Sequence, residues 1–222
     1  MKIVVKVNEV SGFRPRDVRN YVGSIVDEKY KDLAMWHKNT TPELIYVKPF
    51  KDSFEIISNK NDISLISHIA DKIEDNPNFY GKKIERVWLK SEQFNFPQRG
   101  LTSYITRTPI IIGTNEREIG VSYACKVKND IDGLVSFVTH RIKSDMEYQI
   151  KNWFGLDLRV DEFKILSVSE FKQLFLDYKD GVKVPAVTMN FTSNFRLPRF
   201  VGYKIGLGWG EIIEKGGSQC II

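Results

Sequence analysis

The sequence is short of the residues that metal and redox chemistry need. Its 222 residues hold two cysteines, Cys125 and Cys220, and three histidines, His37, His68 and His140. The cysteines stand far apart without the spacing of a zinc site, so they read as a small buried hydrophobe and a tail residue in a reducing compartment. No metal and no cofactor is expected. No apolar run approaches the roughly 20 residues of a membrane helix. The opening MKIVVKVNEV alternates as a strand does and lacks the longer apolar core of a signal peptide, so a soluble, cytoplasmic protein with no membrane partner is expected. The P-loop pattern GxxxxGK[ST] is absent, and no glycine group sits between a strand and a helix as a dinucleotide loop requires. The one DxD, Asp130-Ile131-Asp132, falls at the head of a helix, where capping is its expected role.

What is present is a sizeable apolar fraction, 42%, with 12% aromatic residues and a net charge of +5. That is enough for a real core and a moderate bias toward anionic partners. KIVVKV reads as a strand and RPRDVRNYVGSIVDEKY as an amphipathic helix with Val18, Val22, Ile25 and Val26 on its apolar stripe. ELIYVKPF and SFEIISN read as strands, and DISLISHIADKIED as a helix burying Ile63, Ile66, Ile69, Ala70 and Ile73. KKIERVWLKSEQF closes a β-α-β-β-α-β unit, the ferredoxin-like order. NFPQRG is the linker candidate. Beyond it, TSYITRTPIIIG and GVSYACKV read as strands and residues 129–154 as a long helix with Leu134, Phe137, Val138 and Ile142 inward. EFKILSV, the run from 181 to 197 and GWGEII supply further strands, while Ser169 to Lys183 stays unassigned. The expected fold is α+β: an N-terminal ferredoxin-like domain over 1–96 and a second over 101–222, in tandem.

The second domain ends on RLPRFVGYKIGLGWGEII, with Gly202, Gly206, Gly208 and Gly210 among Arg196, Arg199 and Lys204 and the aromatics Phe195, Phe200, Tyr203 and Trp209. Glycines there allow either a bulged hairpin or a backbone that offers N–H groups to phosphate. Cations beside aromatics are what single-stranded nucleic acid asks for. The stretch from Asn190 to Ile212, read as NFxxNFxLPxxVGxxIGLGWGEI, resembles the glycine-rich signature of the CRISPR repeat-processing endoribonucleases of the RAMP superfamily. RDVRNYVGSIV, LAMWHKNTTPELIYVKPF and YITRTPIII are similar, in order, to that family's first helix, histidine-bearing loop with its following strand, and TP-containing strand.

The resemblance implies two ferredoxin-like, RAMP/RRM-like domains and metal-independent cleavage of a repeat RNA. The 2′-OH attacks the adjacent phosphate and leaves a 2′,3′-cyclic phosphate and a 5′-OH. It implies precursor crRNA as partner, and is compatible with a CRISPR effector complex and a homodimer. The other reading it allows is a RAMP-type RNA-binding subunit without catalysis. Histidine suits either proton role. His68 and His140 fall off the apolar faces of their helices and read as solvated; His37 lies in MWHKNTTP between a helix end and a strand, and with the resemblance is the candidate base or acid. Tyr46 or Tyr30 is the candidate partner of the attacking hydroxyl, and Lys38 or Lys48 the candidate phosphate charge. Tyr30 has the alternative of packing under the first helix, and Lys48 that of a strand-surface charge. RNA binding is assigned to Arg16 and Arg19, read as solvated on the first helix, with Arg14 and Lys143 in support. Arg107, Arg196, Arg199, Lys204, Gly206, Gly208 and Gly210 complete the set. Arg141 falls in line with the apolar face of the long helix and is left out.

Overall fold

The structure is a computed structural model describing residues 1–8, 13–35, 44–50, 52–58, 63–91, 97–157, 159–179 and 181–215. The chain divides into two compact units, Met1–Phe94 with Gly206–Gly208, and Asn95–Ile205 with Trp209–Ile222.

The first unit is built on β1 (Lys2–Val7), α1 (Pro15–Ile25), α2 (Glu28–Met35), β2 (Leu44–Phe50), β3 (Ser53–Ser58), α3 (Ile63–Asp75), β4 (Asn78–Phe79) and β5 (Lys82–Lys90). Its antiparallel sheet runs β2-β3-β1-β5-β4. Apart from the short β4 this is the ferredoxin-like order, with the first strand paired to the third and the last. Alternation in β1 turns Ile3, Val5 and Val7 into the core, where they meet Val18 and Val22 of α1 and Ile66, Ile69 and Ile73 of α3. Pro15 starts α1, and Asp17 accepts the Arg14 amide at 2.7 Å, closing the first turn. The single helix expected over 14–30 is two, because α1 ends at Ile25 and α2 starts at Glu28. On α3 the buried set is Leu65, Ile66, Ile69, Ala70 and Ile73, while Ile63 is exposed. His68 is not a solvated side chain. Its ring packs on Tyr30 with centroids 4.5 Å apart, and Nε2 accepts the Asp27 amide at 3.4 Å. That contact pins the start of α2 to α3.

The second unit holds β6 (Gln98–Thr106), β7 (Ile110–Ile111), α4 (Glu116–Lys128), α5 (Ile131–Phe154), β8 (Ile165–Lys179), β9 (Val182–Arg196) and β10 (Ile212–Glu214). The strand order is β10-β6-β9-β7, with β8 also paired to β9. Residues left unassigned from Ser169 onward belong to the β8–β9 hairpin, two strands of 15 residues each. GVSYACKV is helix rather than strand, and EREIG is its first turn rather than a solvated turn. Along α5, Leu134, Val138, Ile142, Met146 and Ile150 recur every four residues and are buried against β9 and β6 residues. Asp130 caps that helix, accepting Gly133 N at 2.8 Å, as its place in the DxD suggested. No helix among the described residues is long and apolar enough to cross a membrane. The whole is the α+β, tandem ferredoxin-like architecture expected from the sequence.

Candidate nucleic-acid interface

Beyond β9 the chain turns through Leu197 to Val201, makes a short 3-10 turn at Ile205–Leu207, and re-enters the sheet as β10. On either side of Gly206–Gly208 this glycine-rich stretch is fastened to the second unit. Tyr203 N donates to Ile111 O at 2.9 Å, Gly210 N to Pro109 O at 3.0 Å, and Val201 N to Gly210 O at 3.0 Å. From α5, Asp145 Oδ2 accepts Gly202 N at 3.0 Å, and Gln149 Nε2 donates to Phe200 O at 2.9 Å.

Two of the glycines are sterically required. Gly202 has φ +91°, and a Cβ there would lie 2.7 Å from Ile110 Cγ2 and 2.8 Å from Ile111 O. Gly210 has φ +73°, and its Cβ would stand 1.8 Å from Val201 O. The close approach is to the protein's own backbone. The expectation that Gly210 offers its N–H to an RNA phosphate is therefore corrected, since that amide already donates to Pro109 O. Gly208 is also left-handed, at φ +70°, while Gly206 is buried. Lys204 adopts φ +62° and is half-buried.

The arginines gather around two carboxylates. Arg199 places Nε and Nη2 on Glu211 Oε1 at 2.9 and 2.6 Å, and Arg107 Nη1 lies 3.5 Å from the same oxygen. Arg196 Nε donates to Glu214 Oε1 at 2.7 Å. The structure thus brings Arg107 and Arg199 together and gives Arg196 a separate acid. Arg16 and Arg19 belong to the first unit. Arg16 is exposed on the first turn of α1; Arg19 is half-buried, with a buried Nε that has no hydrogen-bond partner among the described residues, so it is not the solvated cation expected.

Of the catalytic candidates, His37 and Lys38 lie outside the described residues, as does the side chain of Lys48. Tyr30 is in the packing cluster with His68 and the first unit's core, the alternative its sequence position left open. Tyr46 is a correction. It is 2% exposed, and its hydroxyl donates to Ala34 O at 2.6 Å, tying β2 to the last turn of α2. Burial also raises its pKa above the ordinary phenol value, so it is no base for a 2′-OH. Tyr46→Phe leaves a buried carbonyl without its donor and is expected to lower stability by about 1–2 kcal/mol, read as a fall in Tm.

Sequence reasoning missed Glu211, Asp145 and Gln149, and left Arg141 out of the RNA-binding set for lying in line with the apolar face of α5, where its side chain is 19% exposed. Arg141 stacks its guanidinium 4.1 Å from the Tyr203 ring, and the Tyr203 hydroxyl donates to Glu118 Oε1 at 2.9 Å. Asp145 is 8% exposed, and burial pushes its carboxyl up to about 7, against the opposing pull of Gln149, Arg141 and the Gly202 amide. The legible signal was spacing: Arg141, Asp145 and Gln149 each precede an apolar residue of the buried α5 stripe, which is no place for a solvated charge.

No family model matches the sequence, and no curated protein does. The likeness is in three dimensions. A crystal structure of Cas6b has a TM-score of 0.66 at 15% identity, covering 97% of this chain and 100% of that one. A CRISPR RNA processing endoribonuclease Cas6b gives 0.57 at 16%, with 97% and 100% covered. A RAMP protein binding different RNA substrates gives 0.62 at 15%, with 97% and 99% covered. The β-α-β-β-α-β first unit, the long β9 and the glycine stretch feeding β10 accordingly give this chain the tandem fold of Cas6 CRISPR RNA-processing endoribonucleases and RAMP proteins.

Proposed function

We propose that this protein is a metal-independent endoribonuclease that binds CRISPR repeat RNA and cuts it to generate mature guide RNAs. One observation carries the reading: the likeness to structures named as Cas6 endoribonucleases extends over 97% of this chain and all of theirs, so both units are shared. In this mechanism the 2′-oxygen beside the scissile phosphate loses its proton to a base and attacks phosphorus. The 5′-oxygen departs with a proton from an acid, leaving a 2′,3′-cyclic phosphate and a 5′-OH. His37 is the residue assigned to one of those transfers, because imidazole changes charge near neutral pH. It follows α2 by two positions and precedes β2, so two regular elements flank it in sequence. Lys38 and Lys48 are assigned to the charge of the phosphorane. Arg16, Arg107 and Arg199 are assigned to backbone phosphates, where guanidinium forks fit.

The test is cleavage of labelled repeat RNA in EDTA by wild type and His37→Ala, with a control RNA carrying a 2′-deoxy sugar just upstream of the cut. Wild type is expected to cut, His37→Ala to be slower by about 10²–10⁴-fold, and the deoxy RNA to stay intact. Cutting that needs a divalent ion, or that survives the 2′-deoxy sugar, overturns the mechanism. Tight binding without any cutting replaces it with an RNA-binding RAMP subunit.

A further inference from the structure

Around the glycine stretch, cations and aromatics are taken up by the fold itself. Phe195 and Phe200 are buried, and Arg196 and Arg199 are held by Glu214 and Glu211. Strand β5 of the first unit carries the same combination on a face that reaches solvent. Register sorts its side chains. Val87 and Leu89 lie across from Val5 and Ile3, on the side of the sheet that α1 and α3 cover. Arg86, Trp88 and Lys90 lie across from Lys6, Val4 and Lys2, on the opposite side. The register shift between Lys6 and Val7 is what turns Ile84 into the core and Arg86 out of it. Arg86 and Lys90 are exposed, and Trp88 is half-buried.

The Arg86 guanidinium stands 5.6 Å from the centre of the Trp88 ring, within cation–π range. Among the described residues neither Arg86 nor Lys90 meets an acid, whereas Lys6 beside them pairs with Glu85 at 3.3 Å. The indole nitrogen has no hydrogen-bond partner there either and is not a buried atom, so an edge of the ring meets water. Beyond Lys83 no described strand pairs with the far side of β5, which puts these three residues at the margin of the sheet. Single-stranded RNA is bound by this arrangement, with bases stacked on a flat ring and phosphates on nearby cations. Residues 86 and 90 are about 13 Å apart along a strand, so a base on Trp88 has a cation on either side. One ring between two charges is a poor seat for a protein partner, which asks for a contiguous apolar patch.

We infer that Arg86, Trp88 and Lys90 form a platform for an unpaired nucleotide of the repeat RNA, its base against the indole and its flanking phosphates against the two cations. The inference rests on the proposed function and adds to it a base-stacking contact supplied by the first unit.

The experiment measures affinity of the full chain for uncleavable, 2′-deoxy-blocked labelled repeat RNA across a salt series, with tryptophan emission followed as RNA is added. Trp88→Leu keeps an apolar side chain and loses the flat ring; it is expected to weaken binding roughly 5- to 150-fold at unchanged salt slope, while Trp88→Phe keeps most of the affinity. Arg86→Ala and Lys90→Ala each flatten the slope by about 0.7, the loss of one single-strand phosphate contact. Wild-type emission is quenched by RNA, and Trp88→Phe loses a share of that quenching although it still binds. A merely structural tryptophan would move neither the quenching nor the division between ring and salt slope. If wild type binds RNA but Trp88→Leu keeps its affinity, or Trp88→Phe binds with undiminished quenching, or both lysine and arginine variants keep the wild-type slope, the platform is wrong while the proposed function stands. If wild type does not bind repeat RNA at any salt, the proposed function fails and the platform with it.

Discussion

Gly210→Ala is expected to destabilise the second unit by about 2–5 kcal/mol, roughly twice or more the cost of alanine at a left-handed glycine with open space around it. Two physical terms act at once. A left-handed backbone costs an L-residue about 1–2 kcal/mol, and Gly210 has φ +73°. Its added Cβ would also stand 1.8 Å from Val201 O, a backbone atom held by the Val201 N to Gly210 O hydrogen bond. Neither partner can swing aside as a flexible side chain would, and overpacking of this kind costs a further 1–3 kcal/mol or so. Gly155→Ala is the internal comparison, because Gly155 has φ +68° and open space where the Cβ would go. Thermal melts of the two variants separate the terms. Gly155→Ala should lose only a few degrees in Tm, while Gly210→Ala loses on the order of 10 °C. Equal losses would show that the close approach is relieved at no cost and that conformation alone demands the glycine.

That result bears on why the glycines were legible and their purpose was not. Their density between Arg196 and Ile213 is plain in the sequence, and so is the need for an unusual backbone. What the backbone approaches is a tertiary fact, set by Pro109, Ile111 and Asp145, residues 57 to 101 positions away. The arginines carry the same lesson. Arg107 and Arg199 were readable as cations, but Glu211 between them was not readable as their holder, because a carboxylate after a glycine looks like any loop acid until its burial is known. The ferredoxin-like order of the first unit could be read because β1, α1 and α3 carry clean periods of two and of three to four. Helix α4 could not be read that way. Val121, Tyr123 and Val127 are β-formers and are exposed, and Ser122 is its one buried residue. Its helix is marked by caps instead: Asn115 accepts Glu118 N at 3.0 Å, and Asn129 ends it at φ +53°. His68 failed for a related reason, since its partners are Tyr30 in the first turn of α2 and Asp27 just before it, which no periodicity of α3 alone contains.

Asp145 yields a pH dependence whose sign is fixed by its site. A carboxyl in the unfolded chain titrates near 3.9, whereas burial against α5 and the glycine stretch raises it to about 7 in the folded protein. The folded state keeps the proton where the unfolded chain has lost it. Stability from this group is therefore complete below about pH 4, declines as pH rises toward 7, and levels off above that, a total on the order of 4 kcal/mol. Asp145→Asn removes the titration and keeps an oxygen to accept Gly202 N, which fastens the stretch to α5, and Gln149 Nε2, a bond within α5. Wild type and variant should have similar Tm at pH 4. Their curves should separate between pH 5 and 7, with the variant the more stable by about 8–16 °C at pH 8. Other titrating groups are common to both proteins, so the difference between the two curves isolates Asp145. A difference that stays constant from pH 4 to 8 would mean that Asp145 is ionised throughout in the folded protein, held by Arg141 rather than neutralised by burial. The charge beneath the glycine stretch would then be a salt bridge, and Arg141→Met should unfold the second unit more readily at neutral pH than in acid.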